Sequence, residues 1–117
     1  MQIKFWGVRG SIPSGSKDTA GVGGNTTCAE IRCGDELIII DTGTGVRNLG
    51  MALMKEMPVK GTILFSHVHW DHIQGFPFFG PFFVPGNEFR IFGGTSLPKT
   101  IGEVLDQQMT PPCFPVK

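Results

Sequence analysis

The chain has 117 residues, with 10 Lys and Arg against 10 Asp and Glu, so its formal net charge is zero. That length suits one small domain that buries roughly two-thirds of its extended surface on folding, and zero net charge argues against nucleic-acid binding driven by clustered Lys and Arg. No apolar run reaches the ~18 residues of a spanning helix, and Met1 to Trp6 has no apolar h-region, so no secretory signal is visible and a cytoplasmic location is expected. The 17 Gly and 9 Pro are spread between apolar runs, a pattern of short elements joined by tight loops.

In chain order, Ile3 to Val8 predicts a first strand. Arg9 to Gly24 is a long polar loop, of the kind that is functional or mobile. Thr26 to Arg32 alternates and predicts a second strand. Cys33-Gly34-Asp35-Glu36 supplies a turn, and Leu37 to Ile40 is a short β-branched run. The pair reads as a hairpin whose second strand is buried on both faces. After Asp41-Thr42-Gly43-Thr44-Gly45, apolar residues at Val46, Leu49, Leu53 and Met57 give helical spacing up to Pro58. Thr62 to Phe65 predicts another buried strand. It leads into Ser66-His67-Val68-His69-Trp70-Asp71-His72, where Asp71 is expected to cap a short helix. Phe76 to Pro85 is a Phe/Pro loop, expected to be buried in a larger domain or, alternatively, to cover a ligand or a dimer contact. Glu88 to Phe92 predicts a strand. Ile101, Val104, Leu105 and Met109 place a last helix over Pro98 to Met109, with Ser96 as its N-cap. The prolines from Pro111 onward cannot continue it. Strands alternating with helices indicate α/β (α+β) character, a mixed sheet with flanking helices. Cys28 and Cys33 face opposite sides of their strand. Together with Cys113 they are expected to be reduced thiols rather than a disulfide framework.

The three histidines of the chain all lie between positions 67 and 72, with Asp71 among them. They follow a strand, where a loop can hold side chains at a sheet's end. Imidazole and carboxylate are ligands for zinc, iron or manganese. On an extended loop His67 and His69 turn to one side, while Asp71 and His72, at a helix start, reach a second point. Four candidate ligands are more than one tetrahedral structural site needs from a single loop, and two metals sharing the cluster account for them better. Surface histidines without metal are the alternative.

His67-Val68-His69-Trp70-Asp71-His72 resembles the His-x-His-x-Asp-His signature of metallo-β-lactamase-fold hydrolases, and Asp41 before Thr42-Gly43-Thr44-Gly45 resembles that family's first motif. Trp6 to Pro13 and Gly23 to Cys28 look like its phosphodiesterase branch, which includes ribonuclease Z and cyclic-phosphate phosphodiesterases. The resemblance implies that residues 1–117 form a single incomplete domain, the N-terminal half of an αββα sandwich. It implies that His67 and His69 ligate one divalent ion and that Asp71 and His72 ligate a second, with Asp71 also counted as catalytic. Zinc is the expected metal, with manganese or iron as alternatives. Asp41 is expected to orient the metal loop by a hydrogen bond from outside the coordination sphere; a helix cap or turn carboxylate is the other reading. Arg9, Asn25 and Thr26 line the pocket mouth or are ordinary loop residues. The family's later histidine ligands have no counterpart, since no histidine follows His72, and among the later carboxylates, Glu88, Glu103 and Asp106, Asp106 lies on a predicted helix without motif context. The implied activity is hydrolysis of a phosphodiester, or of another hydrolysable substrate, by a hydroxide shared between two metals, with a C-terminal half completing the site. Nucleic acid enters only as substrate, no membrane is involved, and a C-terminal half or second chain is expected against the open sheet face. The alternative is a non-catalytic fragment or weak metal-binding or assembly module.

Overall fold

The structure is a computed structural model and describes residues 1–94, 99–111 and 114. Strands β1 (Gln2–Gly7), β2 (Cys28–Cys33), β3 (Glu36–Ile40), β4 (Lys60–Leu64) and β5 (Glu88–Phe92) form one sheet in sequence order. The first three pair antiparallel. β3, β4 and β5 pair parallel, with Ile39 opposite Ile63 and Ile63 opposite Ile91. Gly34 turns the β2–β3 hairpin at φ +61°, a left-handed conformation that costs glycine little. The parallel pair β3–β4 needs a crossover, and helix α1 (Val46–Leu53) supplies it.

α1 carries its apolar residues at helical spacing, and Val46, Leu49 and Leu53 are fully buried against the sheet residues Leu37, Ile39 and Ile63. Each such aliphatic side chain contributes about 1.5–3 kcal/mol by leaving water. The helix is shorter than its apolar spacing predicts. It ends at Leu53 and tightens into a 3-10 turn, Met54–Glu56, so Met57 packs on the core from an extended residue. The Phe/Pro stretch contains two 3-10 turns, Phe76–Phe78 and Gly80–Phe83. Phe76 and Phe79 are buried, and Phe79 and Phe82 meet Phe89 of β5 edge-on at 5.2 and 5.4 Å between ring centres. Phe78 and Phe83 point outward.

The sheet is not covered on both faces. Leu37, Ile39 and Ile63 are buried, but Ile38 and Ile40 are only half-buried and Leu64 is exposed. Register places Phe5, Ala29, Ile40, Leu64 and Phe92 in one row across the bare face, with Ile3, Ile31 and Ile38 in the row beside it. The continuous apolar runs are therefore real, while the cover on their second face is absent among the described residues. At the sheet's outer end the helical face is polar. Buried Glu30 accepts from the Trp6 indole at 2.9 Å and from Arg32 Nε at 2.6 Å.

Two short helices complete the described chain, α2 (Trp70–Ile73) and α3 (Ile101–Gln108). The expected cap of the last helix, Ser96, and the expected start at Pro98 lie outside the described residues. α3 begins at Ile101, where the Thr100 side chain accepts from Glu103 N. Leu105 joins the core. Cys28 is buried and Cys33 exposed, both free thiols, and burial pushes the Cys28 thiol up to about 12. Cys113 is not among the described residues. No helix among those residues is long and apolar enough to cross a membrane.

Candidate functional site

β3 and β4 run parallel, so their C-terminal ends lie side by side, and the two loops leaving them meet. Backbone bonds tie these loops together. Asp41 N donates to Leu64 O at 2.9 Å, Thr42 N to His72 O at 2.8 Å, and Gly75 N to Thr42 O at 2.9 Å. The approach depends on missing side chains. A Cβ on Gly43 would strike the Asp71 carbonyl, and one on Gly75 would strike the Gly43 carbonyl. The loop before α1 is also pinned to the start of β2, because Thr44 N donates to Thr26 Oγ1 at 2.7 Å and Thr26 N to Thr44 Oγ1 at 2.8 Å.

Asp41 sits at the centre of this junction, 2% exposed and at φ +62°. Aspartate tolerates the left-handed region better than most residues, yet the conformation is strained and needs surroundings that enforce it. Its Oδ1 accepts from Ser66 N at 2.8 Å, and its Oδ2 accepts from Ser66 Oγ at 2.7 Å. The same Oδ2 lies 2.8 Å from His72 Nδ1. An ionised carboxylate only accepts, so this contact places a proton on Nδ1 and leaves the Nε2 lone pair of a neutral His72 pointing away. Asp41 does not cap α1, whose N-cap is Gly45.

His72 Nε2 lies 3.4 Å from Asp71 Oδ2. The His67 ring packs edge-on to His69 at 4.4 Å and tilted against His72 at 4.0 Å. Ser66 Oγ is 3.2 Å from His67 Nδ1 and 3.3 Å from His72 Nδ1. All four residues of the histidine motif thus gather at one wet edge of the sheet, His67 and His69 exposed and Asp71 and His72 half-buried. Asp71 does not cap α2. The N-cap is His69, without a side-chain bond, and Asp71 instead reaches across to the loop after β1, where Ser11 N donates to its Oδ2 at 3.1 Å. That backbone N–H holds the Asp71 carboxyl below the usual carboxylate range. Desolvation opposes the effect, and the nearby His72 and His67 add to it.

Three imidazoles and a carboxylate are a suitable donor set for a divalent transition metal. Among the described residues no three His, Cys, Asp or Glu side chains converge into a ready-made group for one ion. The side chains touch as neighbours: His67 lies beside both His69 and His72, and Asp71 beside His72. Of the residues expected near the mouth, Thr26 is fully buried and braces the Asp41 loop. Asn25 Oδ1 accepts from Thr44 Oγ1 at 3.2 Å, and Arg9 Nε donates to Ile12 O at 2.7 Å. Sequence reasoning did not single out Ser66 or Ser11. Ser66 follows a strand and precedes His67, a position that offers a weak signal. The Ser11 contact spans 60 positions, and no local pattern marks it.

No family model matches the chain, and no curated protein matches it by sequence. Solved structures do match in fold. Human tRNase Z, short form, is 24% identical with a TM-score of 0.56; the match covers 99% of this chain and 44% of that one. A diphosphatase from the PhnP family is 18% identical with a TM-score of 0.54, covering 98% of this chain and 48% of that one. The shared architecture is that of the metallo-β-lactamase fold. The chain spans a little under half the length of either structure.

Proposed function

We propose that this chain is the N-terminal, metal-bearing half of a metal-dependent hydrolase that cleaves phosphodiesters. The observation that carries the reading is the gathering of His67, His69, Asp71 and His72 at the parallel strand ends, backed by the contact of half-buried His72 with buried Asp41. His67 and His69 would hold one divalent ion, and Asp71 and His72 a second; zinc suits the donor set, as do manganese and iron. Two ions held there would supply Lewis acidity beside a phosphoryl oxygen and ionise a water at neutral pH. The chain's own residues do the positioning. Asp41 fixes the His72 tautomer and presents Nε2 outward, and a carboxylate behind a ligating histidine also raises its basicity. Ser66 holds Asp41 by two bonds, so the loop cannot rotate without breaking both. Ser11 fixes the Asp71 carboxylate. The remaining donors would come from a C-terminal half, or from a second chain, lying against the bare sheet face. Free thiols at Cys28 and Cys33 fit a reducing compartment such as the cytoplasm.

The test is metal content by elemental analysis after dialysis, for the native chain and for His67→Ala and Asp71→Ala. The native chain should retain metal that each variant largely loses, and binding should weaken as pH falls through the imidazole range, since the ligands must be deprotonated. Full occupancy in either variant rules out the assignment. Metal held loosely by the native chain, with no turnover even when a C-terminal half is supplied, would favour the non-catalytic metal-binding or assembly module.

A further inference from the structure

Among the described residues, Asp41 and Ser11 are the non-glycine residues at positive φ, and each of them touches the histidine loop. Ser11 sits at φ +70°, and Ile12 N donates to Gly10 O across it at 2.9 Å. A bond closing over three residues around a positive φ makes this the rare, strained hand of the γ-turn. Serine is not among the residues enriched in that region, and strain of this kind persists only where the surroundings enforce it. The turn aims Ser11 N at Asp71 Oδ2, 3.1 Å away and 60 positions along the chain.

Arg9 holds this turn at both ends. Its backbone bridges to Thr26, and its N–H donates to Asn25 O at 3.1 Å. Thr26 in turn exchanges bonds with Thr44 in the Asp41 loop, so the turn starts from a fixed point. The Arg9 side chain then folds forward over Ser11, and its Nε donates to Ile12 O at 2.7 Å. That bond ties the far end of the turn to its start. One hydrogen bond returns no more than such strain costs, so the backbone anchor, the side-chain clasp and the Asp71 contact have to act together.

We infer that Arg9 is a positioning residue for Asp71: its Nε–H clasps Ile12 O, keeps Ser11 in the left-handed turn and so aims the Ser11 N–H at the carboxylate. The role belongs to the Nε–H donor and not to the guanidinium charge. It rests on the metal reading only for its effect on a bound ion, because the link from Arg9 to the Ser11 N–H needs no metal.

Two substitutions separate donor from charge. Glutamine carries an Nε2–H donor as many bonds from the backbone as arginine Nε, without the charge, while methionine has similar length and no donor. Amide hydrogen exchange of the chain in EDTA reads the Ser11 N–H directly. Arg9→Met should speed exchange at Ser11 about 2- to 10-fold, Arg9→Gln should stay close to native, and the amides of β2 and β3 should be unaltered in both. Metal content after dialysis reads the consequence: Arg9→Met should weaken the ion assigned to Asp71 and His72 about tenfold or more, and Arg9→Gln should keep it. Native exchange at Ser11 in Arg9→Met, or exchange in Arg9→Gln as fast as in Arg9→Met, overturns the inference. So does an unchanged metal content in Arg9→Met beside a native chain that retains metal. If Ser11 responds as expected while the native chain holds no metal, the positioning by Arg9 stands and the metal reading fails.

Discussion

Asp41 joins two facts that a turn residue would not combine: a left-handed backbone and a buried carboxylate with three polar contacts. Asp41→Asn keeps the size but can present its amide N–H₂ to His72, disfavouring the tautomer with Nε2 free. Metal affinity or activity should fall about 10–100-fold while circular dichroism stays unchanged; an unaltered rate and metal content would reduce Asp41 to a turn carboxylate. Asp71 gives a pH prediction. Its folded carboxyl lies below the unfolded value, so between the two values the unfolded state binds more protons. Its contribution to stability is therefore present above the unfolded carboxylate range, about pH 4, and is lost as pH falls through the folded value. In EDTA, Asp71→Asn should melt with a shallower acid dependence than the native chain. Parallel acid limbs would show that the Ser11 contact does not hold in solution.

At the scale of elements, the site exists because two loops leaving parallel strands approach within backbone contact. Glycine permits this at Gly43 and Gly75. Gly43→Ala must push the Asp41 loop away from α2, and overpacking of this kind costs about 1–3 kcal/mol. Urea unfolding should show that loss together with weaker metal retention, because the same displacement breaks the bonds from Thr42 to His72 and from Gly75 to Thr42. Gly10→Ala is the control, with nothing near its added methyl. Equal stability of the two variants would mean that the loop has room to relax. α1 belongs to the same scale: its buried side chains Val46, Leu49 and Leu53 lock the crossover that makes β3 and β4 parallel, and so bring Asp41 and Ser66 together.

For the whole molecule, the decisive feature is the bare face of the sheet. Phe5 is 68% exposed, Phe92 54% and Ile3 54%, and register sets them in neighbouring rows with Ile40 and Leu64. A contiguous apolar surface above about a few hundred Å² marks an interaction face. Light scattering on the 117-residue chain should show association that rises with concentration, and Phe5→Lys combined with Leu64→Lys should abolish it without unfolding the helical side of the sheet. The isolated chain should also fail to hydrolyse bis(p-nitrophenyl) phosphate, since it offers two candidate ligands for each metal where catalytic sites use about three. A soluble monomer with turnover would show that nothing further need cover this face.

The strands and the residues of the histidine loop are local properties, and the sequence by itself determined them. Period-two and continuous apolar runs mark β1 to β5, and Glu88 to Phe92 is a strand over the predicted range. Three imidazoles within six positions mark a candidate donor set before any fold is known. Helix ends were less legible, because capping is a competition between neighbouring side chains: Thr100 caps α3, and Asp71, which has the composition of a cap, is drawn to Ser11 instead. Only the tertiary structure decided that pairing, and with it the partners of Asp41, the left-handed turn at Ser11 and the one-sided burial of the sheet. Each depends on contacts between segments far apart in sequence. An apolar strand shows that its side chains leave water favourably, but whether a second layer meets them is set by what packs there.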